Sequence, residues 1–179
     1  MNNIMEAMKT RRSIRKFLDK MVPEAQLEEI IQAGLYAASS RNRQATKIVS
    51  VTNSVICQQL RELNRKAWGK PEGIDPFYGA PVILVVLADR TFPNGVYDGS
   101  LVMGNLMLAA HALGVGSCWI HRAREVFDTA EGKQLLVQWG IEGDYEGIGH
   151  CALGYVDGGV PGDIPVSYTH LTLPTTERV

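Results

Sequence analysis

Cysteine is scarce in this sequence, and its scarcity excludes several chemistries. Cys57, Cys118 and Cys151 stand far apart with no C-x-x-C pair, which argues against a disulfide framework, a zinc ribbon and an iron–sulfur cluster. Long apolar runs are missing too. The most continuous, Pro81–Ala88 (PVILVVLA), has the length of a buried strand and falls far short of the ~20 residues a membrane helix needs. The N-terminus, MNNIMEAMKTRR, places charge where a signal peptide would need its apolar core, so a cytoplasmic protein is expected. No G-x-x-x-x-G-K-[ST] and no G-x-G-x-x-G occur, so neither a P-loop nor a dinucleotide fingerprint is present. No serine stands in a G-x-S-x-G context, which speaks against a hydrolase nucleophile. His121 and His150 have no second His or carboxylate at ligand spacing, so no metal centre is expected. A net charge of −1 gives no reason to expect a nucleic-acid or membrane partner.

What is present suits one globular unit. The 179 residues are 45% hydrophobic and 21% charged, ordinary values for a single folded domain. Ile4, Met5 and Met8 fit an opening helix, and Pro23 begins a second one carrying Leu27, Ile30, Ile31, Leu35 and Ala38 as an apolar stripe. Lys47–Thr52 alternates toward a strand, and Ser54 is placed to cap a helix through Leu60 and Leu63. A turn-rich loop at 69–80 precedes the Pro81–Ala88 strand. Leu101–Leu113 reads as a helix buried on most sides, Ser117–His121 as a strand, 125–139 as one helix and Ile148–Val156 as a final strand. Helices and strands alternate, so the expected class is mixed α/β. The domain is expected over 1–163. The segment 164–179, rich in Thr and Pro, is expected to be an atypical tail, either an extended or disordered arm or a stretch foreign to the native gene.

Charge is unevenly placed. Residues 1–47 carry nine Lys/Arg against five acids, while 125–163 carries one Lys against eight acids. The basic end is therefore where an anionic ligand is sought. Arg11, Arg12, Ser13 and Arg15 put three guanidiniums and a hydroxyl within five residues, and forked Arg donors match phosphate oxygens. A solvated basic helix end has the same composition. Ser39, Ser40, Asn42 and Gln44 gather donors and acceptors directly after the second helix; a polar connector would look similar. Trp119, Ile120, His121 and Arg122 end a strand in polar side chains.

Taken in order, RRSIRKF, AASSRNRQ, GAPVILVV, DGSLVMGNLMLAAHALGVGSCWI and GHCALGYVDG resemble the nitroreductase family of FMN-dependent oxidoreductases. The resemblance covers roughly residues 4–158. It implies a mixed sheet flanked by helices, in an intertwined homodimer with FMN shared at the subunit interface. Arg11, Arg12, Ser13 and Arg15 would hold the FMN phosphate and part of the ring system. Ser39, Ser40, Asn42 and Gln44 would contact flavin, the serines from the partner subunit, and Trp119–Arg122 would lie beside the isoalloxazine. It further implies hydride passing from NAD(P)H through flavin to nitroaromatic, quinone or similar small acceptors by a ping-pong mechanism. No catalytic side chain is required, because the flavin carries the chemistry. Relatives that dehalogenate or fragment flavin, and a non-catalytic FMN-binding protein, are the alternatives. One departure stands out: Gly162–Ser167 contains no basic residue where the family has a Pro-Arg-Lys-like stretch. Losing one charged hydrogen bond would weaken FMN binding roughly ten-fold.

Overall fold

The apolar run of residues 82–89 becomes the central strand of the fold. The structure, a computed structural model, describes residues 3–162; the expectations for the 164–179 tail and for most of Gly162–Ser167 lie outside the described residues. Four strands, β1 (Thr46–Val51), β2 (Val82–Asp89), β3 (Gly116–Ile120) and β4 (Tyr145–Gly154), form one sheet in the order β1-β2-β4-β3. All three strand pairs are antiparallel. A single parallel bridge, Ser13 to Ser117, adds the N-terminal segment to the edge of β3.

Because successive strand residues face opposite sides, β2 feeds two cores. Ile83, Val85 and Leu87 point into one, with Leu60, Leu63, Phe127 and Leu135. Val82, Leu84, Val86 and Ala88 point into the other, with Leu27, Ile30, Val102, Met103 and Leu106. Helices α2 (Glu24–Leu35) and α4 (Gly95–Ala112) thus cover one face. Helices α3 (Ser54–Trp68), α5 (Ala123–Asp128) and α6 (Ala130–Gln138) cover the other. The expected helix-flanked α/β architecture is what forms. A short α1 (Asn3–Thr10) leads into the edge segment. Among the described residues no helix is long and apolar enough to cross a membrane.

Several local expectations change. The cap of α3 is Asn53, not Ser54: its Oδ1 accepts from Val55 N at 3.0 Å and Ile56 N at 3.2 Å. The helix expected at 125–139 is two helices, because Thr129 sits in extended backbone and its Oγ1 caps α6 by accepting from Gly132 N at 3.0 Å. Helix α4 starts at Gly95 rather than Leu101 and is buried on one side only. Val102, Met103, Leu106 and Ala110 face the sheet, whereas Tyr97 is 71% and Leu101 51% exposed. A single chain has only one layer to offer that helix, so its second apolar side stays uncovered.

Candidate functional site

After α1 the chain runs extended along the open edge of β3. Ile14 N donates to Ser117 O at 2.9 Å, and further on Leu18 N donates to Tyr155 O at 2.9 Å. Ile14 and Phe17 are buried and anchor the segment. Extended backbone sends alternate side chains to opposite sides, so Arg11, Ser13 and Arg15 share a face. All three act on the Cys118 thiol of β3: burial pushes its pKa up, and Arg15, the Ser13 hydroxyl and Arg11 pull it back. Nη1 of Arg11 is buried with no hydrogen-bond partner among the described residues. Arg12 goes elsewhere. Its Nη1 donates to Lys9 O at 2.7 Å and Arg11 O at 3.0 Å, and its Nε to Gly162 O at 3.2 Å. The four sequence-predicted residues therefore divide into a cationic face that can hold an anion, formed by Arg11, Ser13 and Arg15, and a brace, Arg12. His111 of α4 adjoins both: its Nε2 lies 2.8 Å from Thr10 Oγ1. Partial burial and the charges of Arg11 and Arg12 hold the His111 pKa below its usual value.

The parallel bridge also brings a second predicted segment into line. With Ser13 opposite Ser117, the basic segment is joined to the strand whose far end carries Trp119. Trp119, Ile120, His121 and Arg122 line a cavity of about 240 Å³ with Asn64, Trp68, Pro76 and Tyr78. Ile120 is buried, Trp119 half-buried and His121 exposed. Arg122 adopts φ 78° as the cap of α5 and donates to Glu125 Oε1 at 3.1 Å. Asn64 fixes this turn from below, its Nδ2 donating to His121 O at 2.9 Å. Sequence reading passed over Asn64; the available signal was one amide on the Cys57–Leu60–Leu63 stripe. Larger volume is not the guide here: a cavity of about 510 Å³ around Arg90, Lys133 and Tyr145 has Arg90 already paired with Asp128 and Asp144.

Beneath the strand end lies His150, fully buried, with Nδ1 3.4 Å from Asn64 Nδ2 and Nε2 unpartnered among the described residues. Burial lowers its pKa to about 3, so the native state keeps it neutral. As pH falls below the ordinary histidine value of ~6.5, the unfolded chain binds a proton that the native chain refuses. This contribution to stability is whole above pH ~6.5 and is lost as pH falls toward 3. Between pH 7.5 and 5 the expected loss is about 2 kcal/mol. Urea midpoints at the two pH values check it, with His150→Gln expected to flatten the difference.

The third predicted segment sits apart from the other two. Ser40–Asn42 forms a single 3-10 turn, and Arg41, Asn42 and Gln44 have φ of 53°, 52° and 50°. For non-glycine residues this conformation costs roughly 1 kcal/mol or more each. Gln44 N donates to Ser39 Oγ at 3.2 Å, and Gln44 Nε2 reaches Asn42 Oδ1 at 3.5 Å. Ser39 and Gln44 line a cavity of about 410 Å³ with Tyr36, Thr46, Asp98 and Val102. Two residues that sequence reading missed hold the loop: Asp98 Oδ1 accepts from Ser40 N at 3.0 Å, and Asn94 Nδ2 donates to Ser40 Oγ at 2.7 Å. Asp98, alone as an acid in the apolar run of α4, was the available signal. Asp98 and His111 lie at opposite ends of α4, and at 1.5 Å per residue the loop and the Thr10–Arg11 turn are about 20 Å apart.

A model of the nitroreductase family matches residues 8–155. The sequence is 34% identical to the NADPH-flavin oxidoreductase of Vibrio harveyi over 129 residues, 67% of this chain and 54% of that protein. It is 27% identical to an FMN reductase [NAD(P)H] of Bacillus subtilis over 146 residues, 69% of this chain and 56% of that protein. The chain thus spans little more than half the length of these curated relatives. Among solved structures, a nitroreductase with bound FMN from Bacteroides fragilis matches with a TM-score of 0.88 and 27% identity, covering 97% of this chain and 99% of that one.

Proposed function

The chain belongs to the nitroreductase family, and from that premise we propose that it is an FMN-dependent oxidoreductase that takes hydride from NAD(P)H and reduces nitroaromatic, quinone or similar small acceptors by a ping-pong mechanism. The observation that carries the proposal is the buried Nη1 of Arg11, without a partner among the described residues, beside Ser13 and Arg15. A buried guanidinium donor without an acceptor is costly unless a ligand oxygen completes it, and a phosphate supplies such oxygens. The residues present therefore fit FMN. Arg11 and Ser13 would hold the phosphate, Arg15 would lie toward the ring, and Trp119–Arg122 with the 240 Å³ cavity would bound the ring's other side. FMN supplies the two-electron chemistry; the chain supplies binding, orientation and electrostatics. Arg15 would help stabilise a negatively charged reduced ring, in the manner of a preorganised anion site. Arg12, bound to main-chain carbonyls, keeps the turn that aims Arg11.

The working unit in this reading is a homodimer. Ser39–Gln44 lies about 20 Å from Arg11 within one chain, so a flavin touched by both segments draws the serine loop from a second copy. Tyr97, Leu101 and Gly104 form an exposed stripe at helical spacing on α4, and a Cβ at Gly104 would meet nothing within 4 Å. Such a stripe suits close helix packing against that copy. Light scattering should find a dimer, and a stable FMN-loaded monomer would refute it. A cytoplasmic location agrees with three buried free thiols.

The test of the activity is an absorption spectrum of the protein with FMN under anaerobic NADH or NADPH. Bleaching of bound flavin, followed by recovery on adding a quinone or nitroaromatic, is expected. Flavin that binds but never bleaches would leave a binding protein, and absence of flavin binding would remove the proposal.

A further inference from the structure

We infer that Asp98 and Asn94 are positioning residues that hold the Ser39–Gln44 loop in its strained, ligand-contacting form. The inference rests on the reading that this loop contacts flavin. Left-handed backbone at Arg41, Asn42 and Gln44 does not persist by itself in non-glycine residues; surrounding structure must impose it. Within the loop only Gln44 N to Ser39 Oγ and the long Gln44–Asn42 side-chain contact are made by side chains. The firm ties come from outside. Asp98, 3% exposed, takes the Ser40 N–H, and Asn94 donates to the Ser40 hydroxyl. The Arg43 guanidinium also lies over the Phe92 ring, 5.9 Å from its centroid.

These anchors sit on a rigid base. A Cβ at Gly99 would meet Ile148 Cγ1 of β4 at 2.6 Å, and one at Gly95 would meet Asp89 O at 3.0 Å. The first turn of α4 is therefore pressed against the sheet, and what it grips cannot drift. Asn94 occupies the cap position of α4 without a capping hydrogen bond, and among the described residues its side chain bonds to Ser40. Asp98 Oδ1 accepts from Ser40 N while Oδ2 is buried with no partner among the described residues, so an amide keeps the acceptor but buries unpaired N–H donors.

The test uses two readouts on the whole chain. Arg41 and Arg43 are exposed tryptic sites inside the loop. Asn94→Ala and Asp98→Ala should speed trypsin cleavage there and raise the FMN dissociation constant about tenfold. Asp98→Asn, which keeps the accepting oxygen, should fall between Asp98→Ala and wild type in both. Asn94→Ala combined with Ser40→Ala should bind FMN no more weakly than Ser40→Ala alone, because the two act through one hydrogen bond. Unchanged cleavage in the alanine variants overturns the inference. So does faster cleavage with unaltered FMN affinity, or independent addition of the Asn94 and Ser40 effects. A wild-type chain that binds no FMN overturns the functional reading as well, which separates that failure from the others.

Discussion

Replacing Arg11 and Arg15 together with alanine is expected to weaken FMN binding by about two orders of magnitude or more, at about 1.5–3 kcal/mol for each charged hydrogen bond removed. The two guanidiniums share one face of the edge segment with Ser13 and converge on Cys118. Both lie beyond the end of α1 at Thr10 and before α2 at Glu24, so far-UV circular dichroism should stay nearly constant. Arg12→Ala should act differently. Its guanidinium is bonded to the carbonyls of Lys9, Arg11 and Gly162, so its loss should loosen the turn and lower affinity less than the double variant does. Fluorescence titration with FMN measures both variants against the wild type. Affinity in the double variant equal to that of the wild type would sink the phosphate assignment.

A second large effect is expected from one added methyl group. A Cβ at Gly147 would collide with the backbone carbonyl of Ala123 and lie 2.7 Å from its Cβ. Gly147 stands at the irregularity where β4 passes Leu87 of β2, and Ala123 is the first residue of α5. Since the obstacle is main chain, neither side can yield by a rotamer change. Gly147→Ala should cost about 3 kcal/mol or more, the upper range for overpacking. The melting temperature should fall about 6–12 °C at this chain length. Trimming Ala123 to glycine should not rescue it, because the carbonyl remains. Movement of α5 would also disturb the Arg122 turn, so weaker flavin binding should accompany the lost stability. A melting temperature within about 2 °C of wild type would contradict the packing argument.

The two predictions draw on different kinds of legibility. Arg11, Ser13 and Arg15 could be singled out by reading residues, because three guanidiniums within five positions stand out whatever the fold, though composition does not separate an anion site from a solvated helix end. The central strand was equally plain: Val82–Ala88 is apolar at every position, and only a strand covered on both faces demands that. By contrast, nothing local marks Gly147 as indispensable, since Ala123 reaches it only through the sheet and α5.

Helix boundaries show the same division on a smaller scale. The apolar stripe of α3 and the Leu27–Ile30–Ile31 part of α2 are periodic signals carried by neighbours in sequence, and they were readable; Leu35, expected in the stripe, is exposed, and Ala38 lies past the end of α2. The break at Thr129 depends on which competing hydrogen bond a threonine makes, and the cap at Asn53 rather than Ser54 on which of two adjacent side chains meets the free amides.

Sequence by itself determined the class of the fold, the strands and helices that carry long patterns and the family resemblance, and it singled out the basic segment at residues 11–15. Each of these rests on residue chemistry or on periodicity within about twenty positions. Tertiary structure alone decided the β1-β2-β4-β3 order, the separation of Arg12 from Arg11 and Arg15, and the placing of Ser39–Gln44 at the far end of α4. It alone revealed Asp98, Asn94, Asn64 and His150 as partners of the candidate segments. Those features depend on contacts between residues 54 to 86 positions apart, and the hydrogen bonds that define them leave no periodic trace along the chain.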